Sequence, residues 1–379
     1  MTARVYLDHA ASSPLLPEVR EALLRSFDRS GNASSVHEEG RAARAAIEAA
    51  RRALAAVIGT GDGRIVFTSG ATEANAAALR VGGRILAAAI EHPSVLFQDG
   101  VEPVPVDRNG RLDLAALAAE LRAGDVACVA LMLANNETGV LQPVAEAADL
   151  AHRAGARLHV DAVQAMGKLV VDAAALAADS VALSAHKLGG PKGAGLLWLR
   201  DPDRVRPLLR GGGQEGRLRA GTENVAGIEG FAAAVRAIRP EEAERLLGLR
   251  RTLESEALRR IPEALVIGAT APRLPHITAL ALPGVAAATQ VMALDLAGIA
   301  VSAGSACSSG KVARSHVLVA MGVDSGLADS TIRVSLGWST TAADIERFLD
   351  VWADLAKGRA GARTRSRMPG LAAAPIGTT

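Results

Sequence analysis

The run Val126-Ala-Cys-Val-Ala-Leu-Met-Leu133 constrains this chain most. A near-continuous apolar segment of that length is the signature of a strand buried on both faces, as in a parallel sheet covered by helices. Cys128 lies inside it and reads as core. Ile65-Val-Phe67, Arg84 to Ile90, Arg157-Leu-His-Val-Asp161, Val181-Ala-Leu183 and Leu196-Leu-Trp-Leu199 are further strand candidates. Helical spacing is expected over Glu38 to Val57 and Ala74 to Leu79. Strands and helices alternate from about residue 60. That order predicts an α/β fold with a mostly parallel sheet and helices on both faces.

With 379 residues the chain has room for two domains. Its texture changes at a long charged helix expected over Pro240 to Arg260, followed by strand candidates at Ile277–Leu282 and Ile299–Val301. The expected division is a large domain at 15–245 and a smaller α+β domain made of 1–14 and 246–356. A Gly/Arg/Ser/Pro tail at 357–379, with Arg359, Arg363, Arg365 and Arg367, is expected to be disordered. Two cysteines make no disulfide framework, and a reducing compartment fits. The start of the chain lacks the apolar region of a signal peptide, and no apolar run reaches membrane-spanning length. A cytoplasmic setting is therefore expected. A net charge of +2 argues against a nucleic-acid surface. No phosphate-binding Gly-x4-Gly-Lys-Ser/Thr motif is present.

The chemistry-bearing residues fall at strand ends. Ser184-Ala-His-Lys-Leu-Gly-Gly-Pro-Lys-Gly-Ala-Gly195 reads as a tight loop between two strands, with Lys187 at its mouth and Ser184 and His186 beside it. A lysine in a partly dry pocket can present a free amine to a carbonyl. A solvated loop lysine is an equal reading of these residues. Thr68-Ser-Gly-Ala-Thr-Glu73 joins a strand to a helix and suits an anion at the helix N-terminus, although such residues also cap helices with no ligand. His92 and Asp161 stand at carboxyl ends of strands, where open α/β sheets place ligands. Asp161 could equally cap a helix. Cys307 sits in Ser302-Ala-Gly-Ser-Ala-Cys-Ser-Ser-Gly310, among small polar neighbours that leave a thiol accessible. An unreactive loop cysteine remains open.

The segment Ser-x-His-Lys followed by Gly-Pro-x-Gly resembles the pyridoxal-phosphate (PLP) lysine segment of class V aminotransferase-fold enzymes, most of all the cysteine desulfurases of the NifS/IscS type. Further resemblances run in the family's order. They include Tyr6-Leu-Asp-His-Ala-Ala-Ser-Ser13, the Asn32-Ala-Ser-Ser-Val-His37 loop, Ser69-Gly-Ala-Thr-Glu-Ala-Asn75, Gly304-Ser-Ala-Cys307 and Thr331-Ile-Arg-Val-Ser-Leu-Gly337. His9-Ala10 replace an Asn-Asn pair and Ser12-Ser13 a Thr-Thr pair. Ala303, Arg314 and Trp338 also depart from the family pattern.

The resemblance implies fold type I, aspartate-aminotransferase-like, with a seven-stranded sheet. It makes Lys187 the cofactor lysine and Cys307 the persulfide nucleophile. His92 would stack on the ring and move protons, and Asp161 would face the pyridine nitrogen. Ala71 and Thr72 would hold the phosphate. Asn136, Gln164, Ser184 and His186 would complete the PLP contacts. Thr222, in the glycine-rich loop Gly211 to Asn224, would reach the PLP phosphate of a second subunit in a homodimer. Arg333, a fork suited to a carboxylate, would grip the substrate with Asn136. The implied reaction converts L-cysteine to L-alanine and a Cys307 persulfide. The spacing of Cys307 and Arg333 fits the long-loop group, which passes sulfur directly to an iron–sulfur scaffold or another acceptor protein. No metal of its own is expected, though Cys307 could share an iron–sulfur cluster with the scaffold. A selenocysteine lyase or aminotransferase on this fold is the alternative.

Overall fold

The computed structural model describes residues 4–59, 63–304 and 314–366. The chain enters as a two-residue strand, β1 (Val5–Tyr6), and then forms α1 (Pro17–Phe27) and α2 (Glu38–Ile58). Seven strands follow: β2 (Arg64–Thr68), β3 (Arg84–Ala88), β4 (Val101–Val104), β5 (Val126–Met132), β6 (Arg157–Asp161), β7 (Ser180–Ser184) and β8 (Gly195–Leu199). The helices among them are α3 (Ala71–Ala78), the short α4 (Pro93–Leu96), α5 (Leu114–Arg122) and α6 (Val144–Arg153). The strands make one sheet in the order β2-β8-β7-β6-β5-β3-β4. Only β8 runs against its neighbours β2 and β7; the other pairings are parallel. The expected mostly parallel seven-stranded α/β sheet is what forms.

The central strands are buried on both faces, as their apolar runs require. Val129, Ala130 and Leu131 of β5 are each at most 1% exposed, and Cys128 is packed among them at 2%. Each fully buried Val or Leu contributes about 1.5–3 kcal/mol of transfer free energy. The edge strand β4 escapes the apolar-run criterion because Glu102 and Pro103 occupy its middle. Proline is tolerated there because an edge strand has donors to spare.

After β8 come α7 (Val225–Arg236) and α8 (Pro240–Arg260), then β9 (Leu265–Ile267), β10 (Ile277–Ala281), α9 (Ala287–Leu296), β11 (Ile299–Ala300) and β12 (Ser302–Ala303). The described chain closes with α10 (His316–Ala320), α11 (Ser325–Ala328), β13 (Thr331–Ser335) and α12 (Ala342–Ser366). A second sheet, β12-β13-β10-β9, is antiparallel. Its apolar cluster joins Val5 and Leu7 from the N-terminus to Leu246 and Leu253 of α8, to Ile332 and Val334 of β13, and to Phe348 and Trp352 of α12. The last two rings stack with centroids 5.8 Å apart, and Trp352 Nε1 donates to Gln290 Oε1 at 2.8 Å. Helix α12 continues through 357–366, since the apolar face that docks Trp352 and Ala356 nucleates a helix that the alanine- and arginine-containing sequence after it can extend. Residues 367–379 lie outside the described residues. Among the described residues no helix is long and apolar enough to cross a membrane.

Candidate active site

Four parallel strands deliver polar side chains to one edge of the large sheet. His92 follows β3, Asn135 and Asn136 follow β5, Asp161 ends β6 and Ser184 ends β7. This is the carboxyl end of the sheet, where strand order places a crevice. The β7–β8 hairpin carries Lys187 in a 3-10 turn, Ala185–Lys187. The hairpin returns through Gly195, where a Cβ would lie 2.6 Å from Gly70 Cα and 2.9 Å from the Leu183 carbonyl. Only glycine lets the lysine hairpin pack this close to the turn that opens α3.

The N-terminal segment crosses to the same place. Parallel pairing of β1 with β11 and a bridge from Asp8 to Ser335 fix its course. The Ser13 N–H then donates to the His186 carbonyl at 2.8 Å. Lys187 Nζ donates to the carbonyls of Ala10 at 2.7 Å and Ala11 at 2.9 Å. Gln164 Nε2 donates to the same Ala10 carbonyl at 2.9 Å. His186 faces Ser12 Oγ at 3.3 Å, and burial, with Lys187 and Lys192 nearby, pushes its pKa down to about 4.

Asp161 is 8% exposed. Its Oδ1 accepts from the Val163 N–H at 3.0 Å, so it also makes the turn-capping bond that its position allows. Its Oδ2 accepts from Asn75 Nδ2 at 2.9 Å. Asn75 also donates to Ser94 Oγ at 2.9 Å, and its Oδ1 faces His159 Nε2 at 3.0 Å. His159 Nδ1 in turn faces Ser180 Oγ at 2.8 Å. Burial pushes the His159 pKa down to about 4, so its ring is neutral at pH 7. With the amide oriented to give Asp161 its N–H, the chain has one consistent polarity: Ser180 to His159 to Asn75 to Asp161. Neither Asn75 nor His159 was singled out from the sequence. The signal for His159 was present: it stands two residues before Asp161 on a strand and so shares its face. Asn75, fully buried on the alanine-rich helix α3, closes the motif that begins at Ser69 but bears no chemistry of its own.

His92 caps α4, with Nδ1 accepting from the Ser94 N–H at 3.1 Å. Burial lowers its pKa; Asp161 opposes that shift and Lys187 and His316 reinforce it, which places all four groups in one electrostatic neighbourhood. His316 Nε2 faces the Glu91 carbonyl at 2.9 Å. Arg333, 4% exposed in the middle of β13, spans the two sheets. Its Nη2 donates to Asp8 Oδ1 at 2.9 Å and its Nη1 to the Asn136 carbonyl at 3.0 Å. Its Nε is buried with no hydrogen-bond partner among the described residues. Asp8 is a partner that sequence reading missed.

The residues present suit pyridoxal phosphate. The N-terminus of α3 has Gly70 as its cap with no side chain filling the capping position, and a Cβ at Gly70 would meet nothing within 4 Å. Ala71 and Thr72 open that helix, half-buried and exposed, at the position that suits a phosphate. A buried carboxylate and a lysine amine stand across the same edge of the sheet. Thr222 is exposed, and the loop carrying it is held to α3 by an Arg219–Glu73 ion pair at 2.9 Å. Of the family departures, Trp338 Nε1 donates to the Pro14 carbonyl at 3.1 Å, and Arg314 pairs with Asp329 at 2.9 Å. Cys307 lies outside the described residues.

Comparison with known proteins agrees with this geometry. The aminotransferase class-V family matches residues 5–348. A cysteine desulfurase of Cereibacter sphaeroides is 44% identical over 366 residues, covering 92% of this chain and 94% of its own length. The cysteine desulfurase IscS of Dictyoglomus turgidum is 39% identical, covering 93% of this chain and 94% of its own. Among solved structures, a NifS-like protein from Rickettsia africae superposes with a TM-score of 0.87 at 33% identity, over 93% of this chain and 99% of that one. The chain belongs to the aminotransferase class-V family, among its cysteine desulfurases of the NifS/IscS type.

Proposed function

We propose that this protein removes sulfur from L-cysteine, giving L-alanine and a persulfide on Cys307. The observation that carries the reading is the convergence of Lys187, Asp161, His92 and Arg333 from separate elements onto one edge of the sheet.

Ala71 and Thr72 would hold the phosphate of pyridoxal phosphate. Asn136, Gln164, Ser184, His186 and Lys187 would hold the rest of it, with the His92 ring alongside. When bound, the cofactor supplies an electron sink for charge developing at the substrate's α-carbon. The Asp161 carboxylate, oriented by Asn75 and the Val163 N–H, holds a proton at the pyridine nitrogen. Lys187 Nζ moves the α-proton. The Arg333 guanidinium binds the substrate carboxylate, with Asn136 beside it. His92 is neutral, and with Nδ1 accepting from Ser94 its ring proton is on Nε2, which makes that atom the proton-moving one. The Cys307 thiolate attacks the substrate sulfur. A new S–S bond forms, the C–S bond breaks with its electron pair going to carbon, and protonation releases alanine.

Asn75→Ala is expected to weaken cofactor binding about 10- to 100-fold, because Asp161 loses a buried hydrogen bond to a charged group. Equilibrium dialysis of the apoprotein against pyridoxal phosphate measures this directly.

The large domain, 15–245, supplies the cofactor residues, and the smaller unit, 1–14 with 246–356, carries Arg333 and the Cys307 segment. A homodimer in which Thr222 reaches the other subunit's phosphate completes the site. A cytoplasmic location fits a chain whose two cysteines make no disulfide framework, and an iron–sulfur scaffold or another acceptor protein receives the sulfur.

The test is alanine release and protein-bound persulfide after L-cysteine is added to wild type and to Cys307→Ala. Both products in wild type, and loss of both in the variant, are the expected result. Alanine release that survives the substitution would sink the proposal in favour of a lyase or aminotransferase.

A further inference from the structure

The turn after β3 binds one ring nitrogen of His92 twice. Nδ1 accepts from the Ser94 N–H at 3.1 Å, and Ser94 Oγ stands 2.8 Å from the same atom. A backbone N–H can only donate, so Nδ1 carries no proton and the Ser94 hydroxyl must donate to it as well. That hydroxyl has one hydrogen, and its oxygen is left to accept. It accepts from Asn75 Nδ2 at 2.9 Å. The second hydrogen of the same amide goes to Asp161 Oδ2 at 2.9 Å. Two separate requirements, a carboxylate at one hydrogen and a committed hydroxyl at the other, therefore fix the Asn75 amide the same way round. This leaves Asn75 Oδ1 to accept from His159 Nε2 at 3.0 Å, a contact that an amide flip would break. Asn75 and His159 are fully buried and Ser94 is 8% exposed, so water has little access to compete for these bonds.

We propose that Ser94 is a positioning residue for His92 and that Asn75 works through it: one buried amide turns the Ser94 hydroxyl onto His92 Nδ1 and orients the Asp161 carboxylate, so that the imidazole and the carboxylate of the site are set together. The consequence for turnover rests on the desulfurase reading. A ring whose Nδ1 accepts from two donors can take up a proton there only by breaking both contacts. His92 is thus held neutral, with Nε2–H as its working end. The charged and titratable groups around it pull both ways. Burial lowers its pKa most; Asp161 at the end of β6 favours the imidazolium, and Lys187 of the β7–β8 hairpin and His316 of α10 oppose it. Glu91, the preceding residue, gives its Oε1 to the Met132 N–H at 2.7 Å, and burial raises its pKa well above the carboxylate range. To this balance Ser94 adds a hydrogen bond that exists only with the neutral ring.

The experiment labels the histidines of the full-length chain with nitrogen-15 and reads the two ring nitrogens of His92 by NMR, in the apoprotein and with pyridoxal phosphate bound. His92→Gln identifies its resonances among those of the eight histidines. At about pH 8, where a histidine ring is neutral, wild type is expected to show the proton on Nε2 and a hydrogen-bonded, unprotonated Nδ1. In Ser94→Ala the Nδ1 resonance should move downfield, as for a nitrogen that accepts from fewer donors. The His92 titration midpoint should rise by about 0.5 to 1 pH unit, the loss of one hydrogen bond made to one protonation state. Ser94→Thr, which keeps the hydroxyl, should restore both. Asn75→Ala should move the Nδ1 resonance the same way, although its own bonds go to Ser94 and Asp161, and Asn75→Ala/Ser94→Ala should match Ser94→Ala alone. A proton on Nδ1 in wild type, an Nδ1 resonance unmoved by Ser94→Ala, or additive changes in the double variant would overturn the proposal. The second measurement is the pH profile of alanine formation by the holoenzyme. Its acid limb should lie about 0.5 to 1 unit higher in Ser94→Ala, because His92 then charges at a higher pH. A limb that stays in place while the resonance moves would overturn the role in turnover. If wild type forms no alanine, the desulfurase reading fails, and the Nδ1 resonances still decide whether Asn75 and Ser94 set the ring.

Discussion

Lys187→Ala is expected to lose at least about 1000-fold in the rate of alanine formation, in line with removal of a positioned proton-transfer group. Lys192 lies beyond the glycine turn; Lys168 lines the same cavity as Lys187, its pKa pushed down to about 8 by burial, but it does not share the Lys187 hydrogen bonds to the Ala10 and Ala11 carbonyls. The fold should tolerate the change. The Ala10 carbonyl keeps its bond from Gln164 Nε2, and the hairpin is held by backbone pairing of β7 with β8. The measurement is alanine release by liquid chromatography, with the melting temperature as the control for folding. Lys187→Arg should be equally inactive, because a guanidinium stays protonated and cannot take up the α-proton. A Lys187→Arg variant with wild-type turnover would remove Lys187 from the mechanism.

Arg333→Ala is expected to lower kcat/KM for L-cysteine by about 100- to 1000-fold, most of it through KM. Truncating one member of a buried, hydrogen-bonded charge pair costs about 2–5 kcal/mol. Here the loss falls on two partners, because Asp8 is left without its cation and, in the proposed function, the substrate carboxylate without its fork. Arg333→Lys should recover only part of the loss. A lysine ammonium is a point donor and cannot serve Asp8, the Asn136 carbonyl and a carboxylate from one planar group. Steady-state kinetics with L-cysteine give the split between kcat and KM. A fall confined to kcat, with KM unchanged, would mean that Arg333 acts on the chemical step rather than on substrate binding.

Much of the site was legible because fold type I places its chemistry at strand ends, and strand ends are visible in sequence. The apolar runs at 126–133 and 157–161 announce β5 and β6, so Asn136 and Asp161 fall at their carboxyl ends on sequence grounds alone. The charged helix at 240–260 was equally plain, since its acidic first turn and basic last turn mark both termini. The edge strand β4 was not legible, because a partly exposed strand carrying Glu102 and Pro103 has no run and no alternation to read. The reach of α12 to Ser366 was not legible for a related reason. Glycine and arginine in residues 357–366 lower hydrophobicity without breaking a helix already nucleated on Trp352.

What the sequence alone determined is the set of local facts. These are which segments form strands, which turns carry Lys187, His92 and Asp161, and which residue types can attack, bind a carboxylate or hold a proton. These depend on side-chain chemistry and on periodicities of two or 3.6 residues, which act over a few positions. Tertiary structure alone decided who meets whom. Asp8 reaches Arg333 across 325 residues of chain, Asn75 reaches Asp161 across 86, and Glu137 reaches Ser315 across 178. Those partners are chosen by parallel pairing of β1 with β11, by the order of strands in the large sheet and by the packing that brings Arg333 of β13 to the Asn136 carbonyl after β5. No local periodicity encodes such pairings. They follow from burying the apolar faces of distant elements together, after which each buried polar group must find its partner among whatever that packing brings near.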